Sequence, residues 1–305
     1  MARHEDELHI DERLACQLIV DQFPEWSREN VRRIVTDGTV SAIFRIGDNL
    51  AARFPLRSAD PTNVGTELVR EAAAMQELAA YSPVPTPMPV AVGQPGNGYP
   101  LPWSVQTWLP GSVATPNGLA RSGSFAHDLA ELIYSLRAAD TKGRHFTGSG
   151  RGGNLMDSDD WMEDCFRESS GLLPVDRLRG LWMEFRSLPT TGSEVMTHGD
   201  LIPGNLLVEN GRLVGVLDGG SFSPADPSLD LVAAWHLLDG ERRALLRREL
   251  DCDDLAWWRG AAWAFEQAMG LVWYYRESNP GMSLLGRTTL ARILNDPRFS
   301  EACLH

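Results

Sequence analysis

The residues best suited to chemistry lie in one short segment in the second half of the chain. Asp200 is followed by Asn205 after a gap of five residues, and Asp218 comes thirteen residues further on, at the end of an apolar run. Phosphoryl transfer needs a carboxylate beside the attacking hydroxyl, together with oxygen ligands for Mg²⁺ on a rigid loop. The pattern H-x-D-x-x-x-x-N, which begins at His198, is the spacing of a kinase catalytic loop. The segment therefore predicts phosphoryl transfer that uses Mg²⁺.

The flanking elements indicate how this segment is held. Short strands predicted at 194–197, 205–208 and 213–217 enter and leave it, so it forms a tight loop. Before residue 109 the patterns predict short strands, one long helix and a hairpin, at 33–36, 41–46, 50–54, 67–81 and 89–108. After residue 109 helical patterns dominate, at 117–138, 159–168, 175–187, 225–238, 240–250, 254–277 and 285–294. We predict an α+β fold with a small β-rich N-terminal lobe (1–108), a larger helical C-terminal lobe (109–305) and a cleft between them.

These motifs together resemble the aminoglycoside phosphotransferase family, whose fold is protein-kinase-like. The loop His198–Val208 is similar to the family's H-G-D-L-H-P-G-N pattern, and Asp218 stands where its metal-binding aspartate stands. Asp226–Leu231 is similar to the G-D-P-x-x-D-L motif, and Gly38–Arg45 to the nucleotide-covering hairpin. The resemblance covers most of residues 30–240. It implies transfer of the γ-phosphoryl group of ATP or GTP to a small-molecule hydroxyl.

The resemblance also implies roles for the residues that match the family's motifs. Asp200 would be the catalytic base that orients the acceptor hydroxyl, and Asn205 and Asp218 would bind Mg²⁺. Arg53 stands where a strand lysine normally contacts the α/β-phosphates, and Glu71 in the next helix would be its ion-pair partner. These five residues form the predicted reaction and phosphate site.

Further residues are predicted to bind the nucleotide or to support the loop. The connector residues Ser104, Gln106 and Trp108 would hold the adenine through backbone groups, as the resemblance implies. His198 and Asp230 are expected to brace the catalytic loop rather than to react, because a buried polar group of this kind is normally hydrogen-bonded.

Three positions depart from the family's pattern. Arg53 replaces a lysine, and a planar guanidinium does not present charge as an ammonium does. Ile202 replaces the loop's second histidine, and Gly219 replaces a bulky residue, which predicts looser packing beside Asp218. None of these changes removes a reacting group, but they leave open a weakly active or inactive enzyme.

The acceptor site is predicted with less detail. Residues 157–168 carry six carboxylates against a single basic residue, Arg167, and could form either a solvated helix face or an acidic wall that attracts an amino sugar. The candidate acceptor residues are Asp160, Glu163, Asp164 and Glu266, the last being the polar exception in an aromatic-rich helix.

Composition excludes several classes of protein. Lys142 is the only lysine, so the chain has no P-loop and a poor position for a Schiff base. A net charge of −13 argues against nucleic-acid and anionic-membrane partners. The charged N-terminus lacks a signal peptide, no apolar run is long enough to span a membrane, and four scattered cysteines favour a cytoplasmic location.

Two alternatives remain open at this point. One is a metabolic kinase on the same scaffold that acts on homoserine, choline or a sugar. The other is a nucleotide-binding protein with little turnover. A protein kinase is disfavoured, because no A-P-E-type segment follows Asp218. The acceptor, the choice between ATP and GTP, and the oligomeric state are not predicted.

Overall fold

The computed structural model describes residues 8–34, 40–148, 150–190 and 192–300. Gly38 and the beginning of the predicted nucleotide-covering hairpin lie outside the described residues. The described chain divides into two compact units. The first unit contains the described residues up to Ala80, Pro85–Pro110 and Asp218–Gly220, and the second contains Tyr81–Val84, Gly111–Leu217 and the described residues from Ser221 onward.

The first unit is built on a five-stranded antiparallel sheet with the strand order β1-β2-β3-β5-β4. Side chains alternate across a strand, and β2 accordingly places Ala42, Phe44 and Ile46 in the core. The ring of Phe54 stacks on that of Trp103 at 4.6 Å. The elements of this unit are α1 (Glu12–Gln22), β1 (Val31–Ile34), β2 (Ser41–Ile46), β3 (Leu50–Pro55), α2 (Pro61–Tyr81), β4 (Pro89–Gly93) and β5 (Trp103–Thr107).

Helix α2 begins six residues earlier than the sequence pattern predicts. The Asp60 carboxylate accepts hydrogen bonds from the N–H groups of Thr62 and Asn63, both at 3.0 Å, and Pro61 occupies the first turn. This cap satisfies N–H groups that the first turn leaves unpaired. It outweighs the weak helix propensity of the residues that precede 67.

The second unit combines helices with two small antiparallel sheets, ordered β6-β8-β9 and β10-β7. Helix α8 forms its centre, and buried aromatic side chains such as Trp263 and Phe265 lie on it. The strands are β6 (Ser112–Val113), β7 (Val195–Thr197), β8 (Leu206–Glu209), β9 (Arg212–Val216) and β10 (Ser223–Ala225). The helices are α3 (Gly123–Arg137), α4 (Asp159–Glu168), α5 (Val175–Phe185), α6 (Val232–Leu237), α7 (Gly240–Glu249), α8 (Asp254–Tyr274), α9 (Pro280–Leu294) and α10 (Pro297–Ser300). None of the described helices is both long and apolar enough to cross a membrane.

The helix predicted over 225–238 is much shorter, because α6 begins only at Val232. The preceding residues form β10 and a turn in which the Asp226 carboxylate accepts from the Ser228 N–H at 2.8 Å. The Asp226 N–H donates to the Gly152 carbonyl at 2.8 Å, and its carboxylate accepts from Arg259 Nε at 2.7 Å. These long-range bonds hold the segment out of the helical conformation.

Candidate active site

The predicted catalytic loop connects β7 to β8 in the second unit. Gly199 has a φ of 83°, in the left-handed region that favours glycine, so the chain turns immediately before Asp200. The Ile202 N–H donates to the Asp200 carbonyl at 2.9 Å, and the Asn205 N–H donates to the Ile202 carbonyl at 3.0 Å. The loop is thus closed by its own backbone, and the isoleucine at 202 does not interrupt it.

His198 and Asp230 surround the base of this loop. The buried Asp230 carboxylate accepts from the N–H groups of His198 and Gly199, at 2.8 and 2.9 Å. His198 Nε2 donates to the Leu217 carbonyl at 2.8 Å, and its Nδ1 accepts from the Asp200 N–H at 3.3 Å. These contacts fix the backbone on both sides of Gly199 and do not place either side chain in a reacting position.

The Asp200 carboxylate is held by three side-chain donors. Arg151 Nη2 and Gln267 Nε2 donate to Oδ1 at 3.1 and 2.9 Å, and Asn205 Nδ2 donates to Oδ2 at 3.1 Å. Burial by itself would raise the pKa of Asp200, but the charge and the hydrogen bond of the Arg151 guanidinium, together with the hydrogen bond from Gln267, hold that pKa below its ordinary value. Asp200 is therefore an ionised, oriented carboxylate.

Arg151 and Gln267 were not predicted from the sequence. Arg151 lies in the glycine-rich patch 148–153, whose composition indicates a flexible connection, yet it reaches Asp200 and also lies 3.8 Å from the Glu266 carboxylate. Gln267 lies on α8 among aromatic residues, and no spacing relates it to Asp200. The structure brings them together because their elements pack in the same unit, which no local pattern reveals.

Glu266 is buried beside this cluster, with its side chain 8% exposed. Burial raises the pKa of Glu266 to about 7, and the nearby Arg151 charge opposes that rise only in part. Of the four residues predicted to face the acceptor, Glu266 is the one that the described contacts connect to Asp200, through the shared guanidinium of Arg151.

We expect the stability of the Glu266→Gln protein to rise relative to wild type between about pH 5 and about pH 8. The folded pKa near 7 exceeds the ordinary value of 4.5, so the folded protein binds more protons in this window and wild-type stability falls as the pH rises through it. Glutamine has no such proton, and the difference in unfolding free energy should grow by at most about 3 kcal/mol. Thermal unfolding of both proteins at several pH values in this range measures the difference. A difference in unfolding free energy between the two proteins that is the same at every pH would contradict the prediction.

The first unit contains the predicted phosphate and nucleotide residues. Arg53, Glu71, Ser104 and Gln106 line one small cavity of about 20 Å³ between β3, α2, β4 and β5. Arg53 Nη2 pairs with the Asp218 carboxylate at 3.2 Å, whereas Glu71 is the partner that the sequence predicts. Burial raises the pKa of Glu71, and the Arg53 charge opposes that rise without forming a close pair.

Strand pairing restricts the backbone groups that are predicted to bind adenine. Ser104 and Gln106 lie in β5, which is paired with β3 on one edge and β4 on the other, so the backbone of this segment is largely used by the sheet. Trp108 follows the strand, and its N–H donates to the Asn49 carbonyl at 2.7 Å. Its ring faces the Arg45 guanidinium at 5.0 Å. The side chains of Ser104 and Gln106 line the small cavity, and the nucleotide-binding roles predicted for these two residues and for Trp108 stay predictions.

The glycines after Asp218 are closely packed, contrary to the looser packing that the sequence predicts. A Cβ on Gly219 would lie 2.3 Å from Leu78 Cδ2, and one on Gly220 would lie 3.0 Å from Glu71 Cγ. Leu78 is fully buried on α2 and occupies the space that a side chain at 219 would fill. The Leu78 side chain on α2 therefore fills the space beside Gly219.

We expect Gly219→Ala to destabilise the protein by about 1–3 kcal/mol, because the added methyl group overpacks against Leu78. Gly180→Ala in α5 is the matched control, since no atom lies within 4 Å of the added group there. That change should be neutral or stabilising, because alanine is a better helix former than glycine. Thermal unfolding of the two variants gives the comparison, and equal melting temperatures would contradict the packing explanation.

The acidic helix α4 is partly neutralised by Arg179 on α5 and by Arg186, the residue that follows α5, and the charge count over 157–168 includes neither of them. Glu163 pairs with Arg179, and Asp159 accepts from Arg186 Nε at 2.8 Å. Asp164 pairs with Arg167 on its own helix at 2.7 Å. Asp160 is exposed. These pairs favour a solvated, ion-paired face for Asp160, Glu163 and Asp164.

Asn205 and Asp218 present the kind of donors that Mg²⁺ prefers. The Asn205 amide nitrogen donates to the Asp200 backbone and side-chain oxygens, which leaves its Oδ1 as an oxygen ligand. The Leu217 N–H donates to the Asn205 carbonyl at 2.8 Å, and Asp218 is the next residue along the chain. Asp218 adopts a left-handed φ of 59° and is half exposed. Among the described residues, no cluster of three His, Cys, Asp or Glu that could hold a metal ion is found.

Comparisons with known proteins concern the family and the fold of the chain. A family model described as the phosphotransferase enzyme family matches residues 22–265. Curated aminoglycoside 3'-phosphotransferases from Escherichia coli and Salmonella typhimurium are each 36% identical over 78 residues, which are 25% of this chain and 27% of each relative. The aligned part thus spans about a quarter of the length of these curated relatives.

Solved structures of aminoglycoside and macrolide phosphotransferases have a fold similar to that of this chain. The GDP complex of aminoglycoside 2'-phosphotransferase-IIIa has a TM-score of 0.69 and 19% identity, over 92% of this chain and 99% of that one. The apoenzyme of a macrolide 2'-phosphotransferase from Brachybacterium faecium has a TM-score of 0.59 and 16% identity, over 92% and 97% of the two chains. The predicted kinase-like α+β fold class is confirmed.

Proposed function

The chain belongs to the phosphotransferase enzyme family, and on that premise we propose that it transfers the γ-phosphoryl group of ATP or GTP to a hydroxyl of a small molecule. Asp200 orients the acceptor hydroxyl and accepts its proton. Arg53, Glu71 and the side chains of Ser104 and Gln106 contribute to the nucleotide site. Residues 1–108 act as the nucleotide-binding lobe and residues 109–305 as the catalytic and acceptor-binding lobe.

The observation that best supports this proposal is the hydrogen bonding of Asp200. An ionised carboxylate offers about four lone-pair positions. Arg151 and Gln267 take both positions on Oδ1, and Asn205 takes one on Oδ2. The remaining position on Oδ2 is where a hydroxyl can donate. A carboxylate held in one orientation and kept ionised suits a group that aligns a nucleophile.

Asn205 and Asp218 would hold Mg²⁺, which supplies charge neutralisation on the phosphates when it is bound. Arg53 carries the second positive charge at this site and would contact the α/β-phosphates in place of the usual lysine. The ion pair between Arg53 and Asp218 at 3.2 Å supports this role, because it places the guanidinium beside a residue proposed to hold Mg²⁺.

Two classes of acceptor are candidates. The relatives are named for aminoglycosides and macrolides, which supports an antibiotic acceptor and a role in resistance. The ion pairs on α4 weaken the case for an acidic wall, so a metabolic hydroxyl compound stays a second candidate. We also propose a cytoplasmic location, which the free thiols of Cys16, Cys165 and Cys252 support.

A panel of acceptors tests the proposal. Aminoglycosides, macrolides, choline, homoserine and sugars are each incubated with the protein and either ATP or GTP, and release of the nucleoside diphosphate is measured with and without Mg²⁺. We expect one acceptor class to give Mg²⁺-dependent release and a phosphorylated product. Nucleotide binding without release on any acceptor would instead support the nucleotide-binding alternative.

A further inference from the structure

A chain of hydrogen-bonded side chains connects Asp200 to helices α6 and α9 of the second unit. Gln267 Nε2 on α8 lies 2.9 Å from Asp200 Oδ1, and Gln267 Oε1 lies 2.9 Å from His236 Nε2 on α6. His236 Nδ1 lies 2.8 Å from Thr289 Oγ1 on α9. His236 and Thr289 are completely buried. Three helices thus contribute one polar side chain each to a continuous path that ends on the predicted catalytic carboxylate.

The donor and acceptor roles along this path follow from the carboxylate. An ionised carboxylate only accepts, so Gln267 must present its amide nitrogen to Asp200 and its oxygen to His236. His236 must then donate from Nε2, which leaves Nδ1 to accept from the Thr289 hydroxyl. Burial lowers the pKa of His236 to about 4, in agreement with a neutral ring that has one donor and one acceptor. Every member of the path has a partner of the right kind.

We propose that Gln267 is a positioning residue for Asp200, and that His236 and Thr289 act through it by preventing its amide from flipping. This inference rests on the proposed function, because it assigns Gln267 to the same reaction. A flipped amide would turn an oxygen toward Asp200 Oδ1 and repel it. The carboxylate would then rotate, and the position on Oδ2 that is left for the acceptor hydroxyl would be lost. Gln267 and His236 therefore set the orientation of Asp200 without touching the acceptor.

Kinetics of α8 and α6 variants test this. Gln267→Met keeps the volume but removes both polar groups, and we expect kcat to fall about 10- to 100-fold while the KM for the nucleotide stays within about twofold. Met269→Leu, a nearby buried change on α8, is the packing control and should leave kcat unchanged. A Gln267→Met protein with wild-type kcat would overturn the inference while leaving the proposed function intact.

Variants of His236 test whether this residue affects kcat through Gln267. His236→Leu should lower kcat, and His236→Gln should restore part of the loss because its amide can still donate to Gln267. In the Gln267→Met background, His236→Leu should cost no further kcat, because its only route to Asp200 is already gone. Additive losses, or a His236→Gln protein as slow as His236→Leu, would show that the histidine acts only through the general packing.

Nuclear magnetic resonance of the wild-type protein tests the path even if no acceptor is found or a variant fails to fold. Nitrogen-15 shifts of the His236 ring at about pH 7 should show a neutral ring with its proton on Nε2. A proton on Nδ1, or a charged ring, would overturn the inference. A wild-type protein without phosphotransfer activity would instead count against the proposed function, whatever the tautomer.

Discussion

An Asp200→Asn protein should transfer phosphate about 10³-fold more slowly than wild type. Asparagine keeps the shape of the side chain and can still accept from Arg151 and Gln267 through its oxygen. It cannot accept a proton from the acceptor hydroxyl, and general-base groups typically contribute between 10² and 10⁴ in rate. The measurement is kcat with the best acceptor found in the panel, at saturating nucleotide.

Two controls separate a chemical loss from a structural one. The nucleotide affinity of Asp200→Asn should remain close to the wild-type value, and its melting temperature should fall only slightly, because the new amide nitrogen faces Asn205 Nδ2 and loses a single hydrogen bond, worth about 1 kcal/mol. An Asp200→Asn protein that keeps full phosphotransfer rate would contradict the central role of this carboxylate. A protein that loses nucleotide binding as well would show that Asp200 has been assigned too narrow a role.

The largest stability effect is expected at Asp226, in the second unit. Its carboxylate accepts from Arg259 Nε at 2.7 Å and from Trp263 Nε1 at 3.0 Å, and both Asp226 and Arg259 are buried. Asp226→Asn removes the charge and leaves the Arg259 guanidinium buried without a counter-charge. Removal of one member of such a pair typically costs about 3–5 kcal/mol. We expect a loss of about that size in thermal or urea unfolding.

A matched change at an exposed ion pair shows whether burial is the cause. Asp164→Asn breaks the pair with Arg167 on α4, where both side chains are at least half exposed, and should cost much less stability than Asp226→Asn. Asp226→Asn should also reduce phosphotransfer, because the Asp226 N–H and Arg259 hold the backbone at Gly152 and Gly153, next to Arg151. Equal stability losses in the two aspartate variants would contradict the burial explanation.

The sequence predicted those parts of the molecule in which spacing along the chain carries the information. The catalytic loop, the strands around it and the alternation of β2 are local patterns, and the structure has them at or close to the predicted residues. Side-chain alternation and turn chemistry follow from backbone geometry within a few residues, which is why they can be recognised without a fold. Errors at the ends of α2 and α6 arose where a cap or a distant ion pair overrode local propensity.

The groups that set the orientation and charge of the site came from packing between distant parts of the chain. Arg151 and Gln267 are 49 and 67 residues away from Asp200, and His236 reaches it only through Gln267. Likewise, α2 fills the space beside Gly219, and Arg179 on α5 and Arg186 just after it pair with carboxylates of α4. A spacing motif identifies residues that share one loop. Hydrogen bonds and burial between helices depend on which faces meet in three dimensions, and no single segment records that.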